Sequence, residues 1–307
     1  MSARAAIAFA AVLTGGCRSV PERSVDEPTL KQAMVNGTTI RYVEQGRGAP
    51  VVFVHGAISD HRTWDQQREA VAKRYRFIAL DRRYFGTAPW PDTGVQLSPA
   101  TDADDLAAFI RALEIEPAFL VGTSGGGQVV LITAVRHPAV VRAAFVNEPG
   151  LRSIVTDSAD RRIVSEADQG RAAAVAAAQA GNMTEAARLL VDHNSGKHGT
   201  FDQLSAFRAM FVDNARTLLL SASPDVPITC EELGRIRIPV TVTKGQLTKP
   251  NFRVLADAAH RCVPQSQLVV IPNARHGAPR ENPSAFNEAL LAFLARLTRP
   301  PGVAAAR

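Results

Sequence analysis

The pentapeptide Gly122-Thr123-Ser124-Gly125-Gly126 limits what this chain can fold into more than any other stretch. It stands directly after the apolar run Ala118 to Val121 and before the helix-like stretch Gln128 to Arg136, which predicts a tight turn joining a strand to a helix. Such a turn forces its central residue into strained backbone angles, and the flanking glycines keep side chains out of its way. The hydroxyl of Ser124 is then held up at the carboxyl edge of a sheet, where a serine becomes a nucleophile. The pattern also arises by chance, as a glycine-rich loop packing a helix on a sheet, so its partners decide the matter.

Those partners occur in the right order. Val51 to Val54 is an apolar run ending in His55-Gly56-Ala57, which predicts a buried parallel strand delivering a glycine turn to the same sheet edge. In an acyl-transfer enzyme the backbone N–H groups of Ala57 and of Gly125, the residue after the nucleophile, would stabilise the negative charge developing on one oxygen. Far downstream the strand Gln267 to Ile271 leads into Pro272-Asn273-Ala274-Arg275-His276-Gly277. His276, after the last strand of an open sheet, is placed to act as general base for Ser124.

With these features in family order, and Asp81-Arg82-Arg83-Tyr84-Phe85-Gly86 following the strand Arg76 to Leu80, the sequence resembles the α/β-hydrolase superfamily from about Thr39 to Leu297. The resemblance implies a mostly parallel, doubly wound sheet with an inserted helical lid, and a Ser-His-acid hydrolase. In many members the acid follows the strand before the histidine strand, in a Gly-x-x-Asp turn. Here that strand is Pro239 to Thr243, the turn reads Gly245-Gln246-Leu247-Thr248, and threonine cannot carry the charge. A subset of the superfamily places the acid one strand earlier. Val146-Asn147-Glu148-Pro149, at the end of the strand Ala143 to Val146, makes Glu148 the expected third triad member.

Composition narrows the rest. The 307 residues allow one large sheet with a cap, divided as core over 30–150, lid over 151–233 and core again over 234–299, with a disordered tail over 300–307. Net charge is +6, but 35 basic residues are dispersed among 29 acids with no basic stripe interleaved with aromatics, which argues against nucleic acid as a partner. No cysteine or histidine pair stands at metal-ligand spacing, and no cofactor is implied.

Residues 1–17 read as an export signal: one charge before Ala5, the apolar run Ala5 to Leu13, then small residues before Cys17. The ending resembles the lipobox of bacterial lipoproteins, with Cys17 the lipidated residue and 18–29 a tether, so the expected location is the cell envelope or periplasm, anchored to the membrane by lipid. Cys230 and Cys262 would then be an even pair in an oxidising compartment, either bonded or two buried thiols.

Within the lid, strand patterns give way to helix-period runs at Arg161 to Ala180, Thr184 to His193 and Phe201 to Leu220. Leu204, Phe207 and Phe211 share a face of the third run, either packing the lid or lining a substrate pocket. His193 and His198 are expected on the surface. The constellation fits hydrolysis of a carboxylic ester or lactone of a small to medium apolar molecule through an acyl-enzyme. A cofactor-free haloperoxidase or perhydrolase and a C–C bond hydrolase keep the same triad. A non-turnover binding protein is the alternative from another class.

Overall fold

The computed structural model describes residues 29–90, 96–222 and 227–298. The predicted export signal with Cys17, the tether up to residue 28 and the tail over 300–307 lie outside the described residues. Among the described residues no helix is long and apolar enough to cross a membrane.

Runs of four or five consecutive apolar residues bury both faces of a strand, and such runs form the middle of the sheet. The strands are β1 (Lys31–Val35), β2 (Thr38–Gln45), β3 (Pro50–Val54), β4 (Arg76–Leu80), β5 (Gln96–Leu97), β6 (Ala118–Thr123), β7 (Val141–Asn147), β8 (Ser221–Ala222), β9 (Val240–Gly245) and β10 (Gln267–Ile271). Eight of them form one sheet in the order β1-β2-β4-β3-β6-β7-β9-β10, antiparallel at the β1 and β2 edge and parallel from β4 onward. Alternate residues of one run serve opposite cores. Val52, Val54, Ile78, Leu80 and Leu120 face one apolar cluster, while Val51, Phe53, Phe77, Ala79 and Phe119 face the other.

Helices cover both faces. They are α1 (Asp65–Ala72), α2 (Pro99–Ala112), α3 (Gly125–Arg136), α4 (Ser158–Gln169), α5 (Ala172–Gln179), α6 (Met183–Ser195), α7 (Thr200–Gln203), α8 (Arg208–Ala215), α9 (Cys230–Leu233), α10 (Pro250–Cys262), α11 (Ala278–Glu281) and α12 (Pro283–Thr298). Residues of α2, α3 and α10 fill the first cluster, and residues of α12 fill the second with α1's Val71. Between β7 and β9 the chain leaves the sheet and builds α4 to α8 over its carboxyl edge, with its own apolar cluster of Ala174, Ala186, Leu190, Phe201, Met210 and Phe211.

The lid is more broken than its periodicity predicts. The run Arg161 to Ala180 divides at Gly170, where a Cβ would stand 2.2 Å from Cε1 of His193, so the helix ends at the one residue type that lets this imidazole in. The run Phe201 to Leu220 divides where Leu204 adopts φ −91° and ψ 43°, outside helical geometry. A two-residue strand, β8, pairs with β5 where no strand is expected. Cys230 of α9 and Cys262, the last residue of α10, form a disulfide with Cα atoms 5.0 Å apart.

Candidate active site

The turn after β6 has the geometry its glycines foretell. Ser124 sits at φ 53° and ψ −121°, a conformation costly to any residue with a Cβ. Its N–H donates to the Asn147 carbonyl at 2.9 Å, and its own carbonyl accepts from the N–H groups of Gln128 at 3.1 Å and Gly150 at 3.0 Å. Neighbouring backbone thus over-determines the strained residue. The close approach beneath it requires glycine at 126, since a Cβ there would lie 2.1 Å from the Val54 carbonyl oxygen.

Register brings the other strand ends alongside. Thr123, Asn147 and Thr243 stand level on β6, β7 and β9. One residue further, the Glu148 N–H continues the ladder to the Thr243 carbonyl at 2.9 Å. Asn147 is fully buried and ties the ends together: its amide donates to Thr123 Oγ1 and to the His276 carbonyl, both at 3.2 Å, while its oxygen accepts from Thr243 Oγ1 at 3.0 Å.

Glu148 is fully buried, and its Oε2 lies 2.6 Å from Nδ1 of His276. A buried carboxylate needs further donors. They come from the Gly245 N–H, 2.8 Å from Oε1, and from the Thr248 hydroxyl, 3.0 Å from Oε2. The threonine that occupies the expected acid position therefore supports an acid on the neighbouring strand. Phe252 of α10 stacks flat on His276 with centroids 3.6 Å apart and planes within 10°. The loop carrying His276 passes so close to β9 that a Cβ on Gly245 would meet the Ala274 and Arg275 carbonyl oxygens at 2.4 Å.

The turn at Gly56 and Ala57 is held from beneath. His55 is fully buried, with Nε2 accepting the Arg82 N–H at 3.0 Å and Nδ1 2.9 Å from the Gly56 carbonyl. Burial, with the Arg82 charge adding to it, pushes its pKa down to about 3, so the ring is neutral and keeps both contacts. The Arg82 guanidinium reaches the same Gly56 carbonyl at 3.2 Å and Asp102 at 2.8 Å. Burial pushes the Asp102 carboxyl up to about 6 against the pull of Arg82.

Ser124 opens onto two cavities. A small one, about 50 Å³, is bordered by His276, Gly277, Leu204, Phe211 and Arg280. A larger one, about 250 Å³, runs under the lid along Ala57, Gly125, Arg82, Asp102 and Arg171. Of the predicted lid stripe, Leu204 and Phe211 border the small cavity, while Phe207 packs into the lid cluster. His198 is exposed, as expected. His193, expected on the surface, is only partly exposed: its Nε2 lies 2.9 Å from the Ala167 carbonyl, and it lines the larger cavity, because the Gly170 break makes room for its ring.

Asp60, His61 and Asp81 carry no ligand-type spacing in the sequence, yet their ligand-type atoms lie within 4.8 Å of one another. Each already has a partner. Asp60 accepts from Arg62 and Asn214, and Asp81 from His61, which fixes the lid helix α8 to the core.

Glu148 thus touches His276 at the sheet edge, and His276, Ser124 and Ala57 border one cavity there, with Gly125 next in the chain to the serine. The model of the "Alpha/beta hydrolase family" matches residues 51–289, and the chain belongs to that family and is a hydrolase. It is 30% identical over 280 residues to a non-heme chloroperoxidase of Streptomyces lividans, covering 84% of this chain and 97% of that one. It is 26% identical over 285 residues to a 2-hydroxy-6-oxo-6-(2'-aminophenyl)hexa-2,4-dienoic acid hydrolase of Metapseudomonas resinovorans, covering 90% and 94%. Among solved structures, the esterase RhEst1 from Rhodococcus sp. ECU1013 superimposes with a TM-score of 0.69 at 23% identity, over 87% of this chain and 99% of that one.

Proposed function

We propose that the protein hydrolyses a carboxylic ester or lactone of a small to medium molecule through an acyl-enzyme on Ser124. The observation that carries this is the 2.6 Å contact of His276 Nδ1 with the buried Glu148 carboxylate, beside a serine in strained elbow geometry. Glu148 would hold the proton on Nδ1, leaving Nε2 free to take the Ser124 proton as Oγ attacks the carbonyl carbon. The oxyanion would rest on the N–H groups of Ala57 and Gly125. As the C–O bond to the leaving group breaks, His276 returns the proton to the departing oxygen. Water, deprotonated by the same imidazole, then releases the acid and the serine.

A fluorophosphonate probe should label the protein once per chain, and Ser124→Ala should abolish the labelling. Labelling that survives the substitution would overturn the assignment. The chloroperoxidase relative favours a second reading, in which hydrogen peroxide instead of water takes the acyl group and leaves as a peracid. Halide oxidation in the presence of peroxide and acetate, absent from Ser124→Ala, distinguishes it. We further propose export and lipidation at Cys17, a setting in keeping with the Cys230–Cys262 disulfide. Expression in a diderm bacterium should bring the chain to the membrane fraction, and Cys17→Ala should release it; a soluble wild type retaining Met1 argues against both.

A further inference from the structure

The larger cavity beside Ser124 is lined by three arginines, Arg82, Arg152 and Arg171, and by two aspartates, Asp102 and Asp168. Two of the arginines are ion-paired. Arg82 binds Asp102 at 2.8 Å, and Arg152 grips both oxygens of Asp168 at 2.6 and 2.7 Å. Arg171, at the start of α5, makes no side-chain hydrogen bond or ion pair with the described residues. Its burial and the neighbouring Arg152 charge pull its pKa below the ordinary arginine range, though Asp168 acts in the opposite direction. Other polar groups on the wall leave the balance unchanged. Gln128, Asn194 and Asn251 are neutral, and burial together with Lys249 lowers the pKa of His193. One positive charge is left over on the cavity wall, partly shielded from water, where an anion would neutralise it.

We propose that the acyl half of the substrate carries a carboxylate that pairs with Arg171; this rests on Ser124 being the nucleophile. The acyl half follows from the positions of the two cavities. His276 must hand a proton to the leaving oxygen, and it borders the small cavity with Leu204 and Phe211, so the leaving group departs there. The larger cavity meets Ser124 together with Gly125 and Ala57 but not His276, and it receives the group that stays on the serine. A planar guanidinium with free N–H groups suits a carboxylate, which it can hold by two parallel hydrogen bonds. The substrate class is therefore a monoester of a dicarboxylic acid, or a lactone bearing a carboxylate on its acyl side, in place of the wholly apolar molecule that the sequence suggests.

Three p-nitrophenyl esters with one leaving group test this: the hydrogen glutarate, its methyl-capped neutral counterpart, and the pentanoate. Wild type should prefer the hydrogen glutarate over the capped ester by at least about tenfold in kcat/KM. Arg171→Gln should erase most of that ratio, chiefly through KM, Arg171→Lys should keep part of it, and Arg162→Gln, an exposed lid substitution, should leave it unaltered. Equal rates on the charged and capped esters in wild type, or a preference that survives Arg171→Gln, would overturn the proposal. Calorimetric binding of glutarate provides a readout that does not need turnover. Binding to wild type that is lost in Arg171→Gln, with no ester cleaved, would uphold the anion site and defeat the hydrolase reading; no binding and no preference would defeat the inference alone if the capped ester is cleaved.

Discussion

The sheet edge and the lid are built on opposite principles. At the edge the groups that position the triad are held from several sides: Glu148 has three partners, Asn147 joins three strand ends, and backbone on both sides clamps Ser124. Above it the lid packs small side chains such as Ala174, Ala178, Ala186 and Ala187 around a few aromatics, breaks its helices at Gly170 and Leu204, and leaves Arg171 with no side-chain hydrogen bond or ion pair among the described residues. Reaction geometry tolerates little displacement, so it is built where strands are already fixed. Selectivity needs shape and charge that can vary, and the proposed role of Arg171 assigns it to the lid helices.

The comparison can be broken by substitutions on either side. The largest effect is expected for Ser124→Ala, which should lower ester turnover by at least about four orders of magnitude with an unchanged circular dichroism spectrum. A residual rate within a hundredfold of wild type would place the nucleophile elsewhere.

Next comes a test of how firmly the edge is anchored. His55 is held neutral in the fold with its pKa down at about 3 from 6.5, so between those values the unfolded chain binds a proton that the folded one refuses. Stability is therefore lost as pH falls through this window, by several kcal/mol in all at about 1.4 kcal/mol per pH unit. Asp102 acts with opposite sign. Its folded pKa is raised to about 6 from 3.8, so the folded state binds the proton first and regains part of that loss as pH falls. The difference in unfolding free energy between wild type and His55→Asn, measured by urea titration, should shrink by about 1.4 kcal/mol per unit as pH falls from 6.5 toward 3. A constant difference would mean that His55 is not neutral in the fold.

Glu148→Gln should reduce turnover by at least about a hundredfold with little change in melting temperature, because the amide cannot hold the imidazolium. Activity within a few-fold of wild type would remove Glu148 from the mechanism. The smallest effect belongs to the seam between core and lid. Arg62 bridges Asp213 at 2.8 Å with both side chains about one-third exposed, and Asp213→Asn should cost no more than about 1 kcal/mol, seen as a melting shift of a few degrees at most. A larger loss would mean that the lid contributes more to folding than its loose construction suggests.

The same contrast explains what could be read from residues alone. Strands β3, β4, β6, β7 and β10 announce themselves by runs of three or more apolar residues, and the glycines around Ser124 mark the elbow, since each follows from local chemistry. Glu148 was accessible because Thr248 carries no charge and one earlier strand end offers an acid. The supports were not accessible. Nothing in the spacing of Thr248, Phe252 or Asn147 says that they converge on Glu148 and His276, because sheet register and the path of α10 are tertiary facts. The helix-period runs mark the lid helices but not their breaks, and the facing of His193 and Arg171 depends on where each helix stops.

The hydroxyl of Thr248, 3.0 Å from the Glu148 carboxylate, predicts a second address for the triad's negative charge. A carboxylate at either site would stand within reach of the same imidazole, separated by one side chain and one strand. Exchange between them has an order. Adding Asp at position 248 while Glu148 remains would press two carboxylates together and force them to share a proton, whereas the reciprocal pair Glu148→Gln with Thr248→Asp keeps the count of charges constant. That double variant should recover at least about tenfold of the turnover lost in Glu148→Gln, and failure to recover any would show that only one address faces the ring at a workable angle. Recovery would mean that the charge can change strands in this sheet without the histidine having to move.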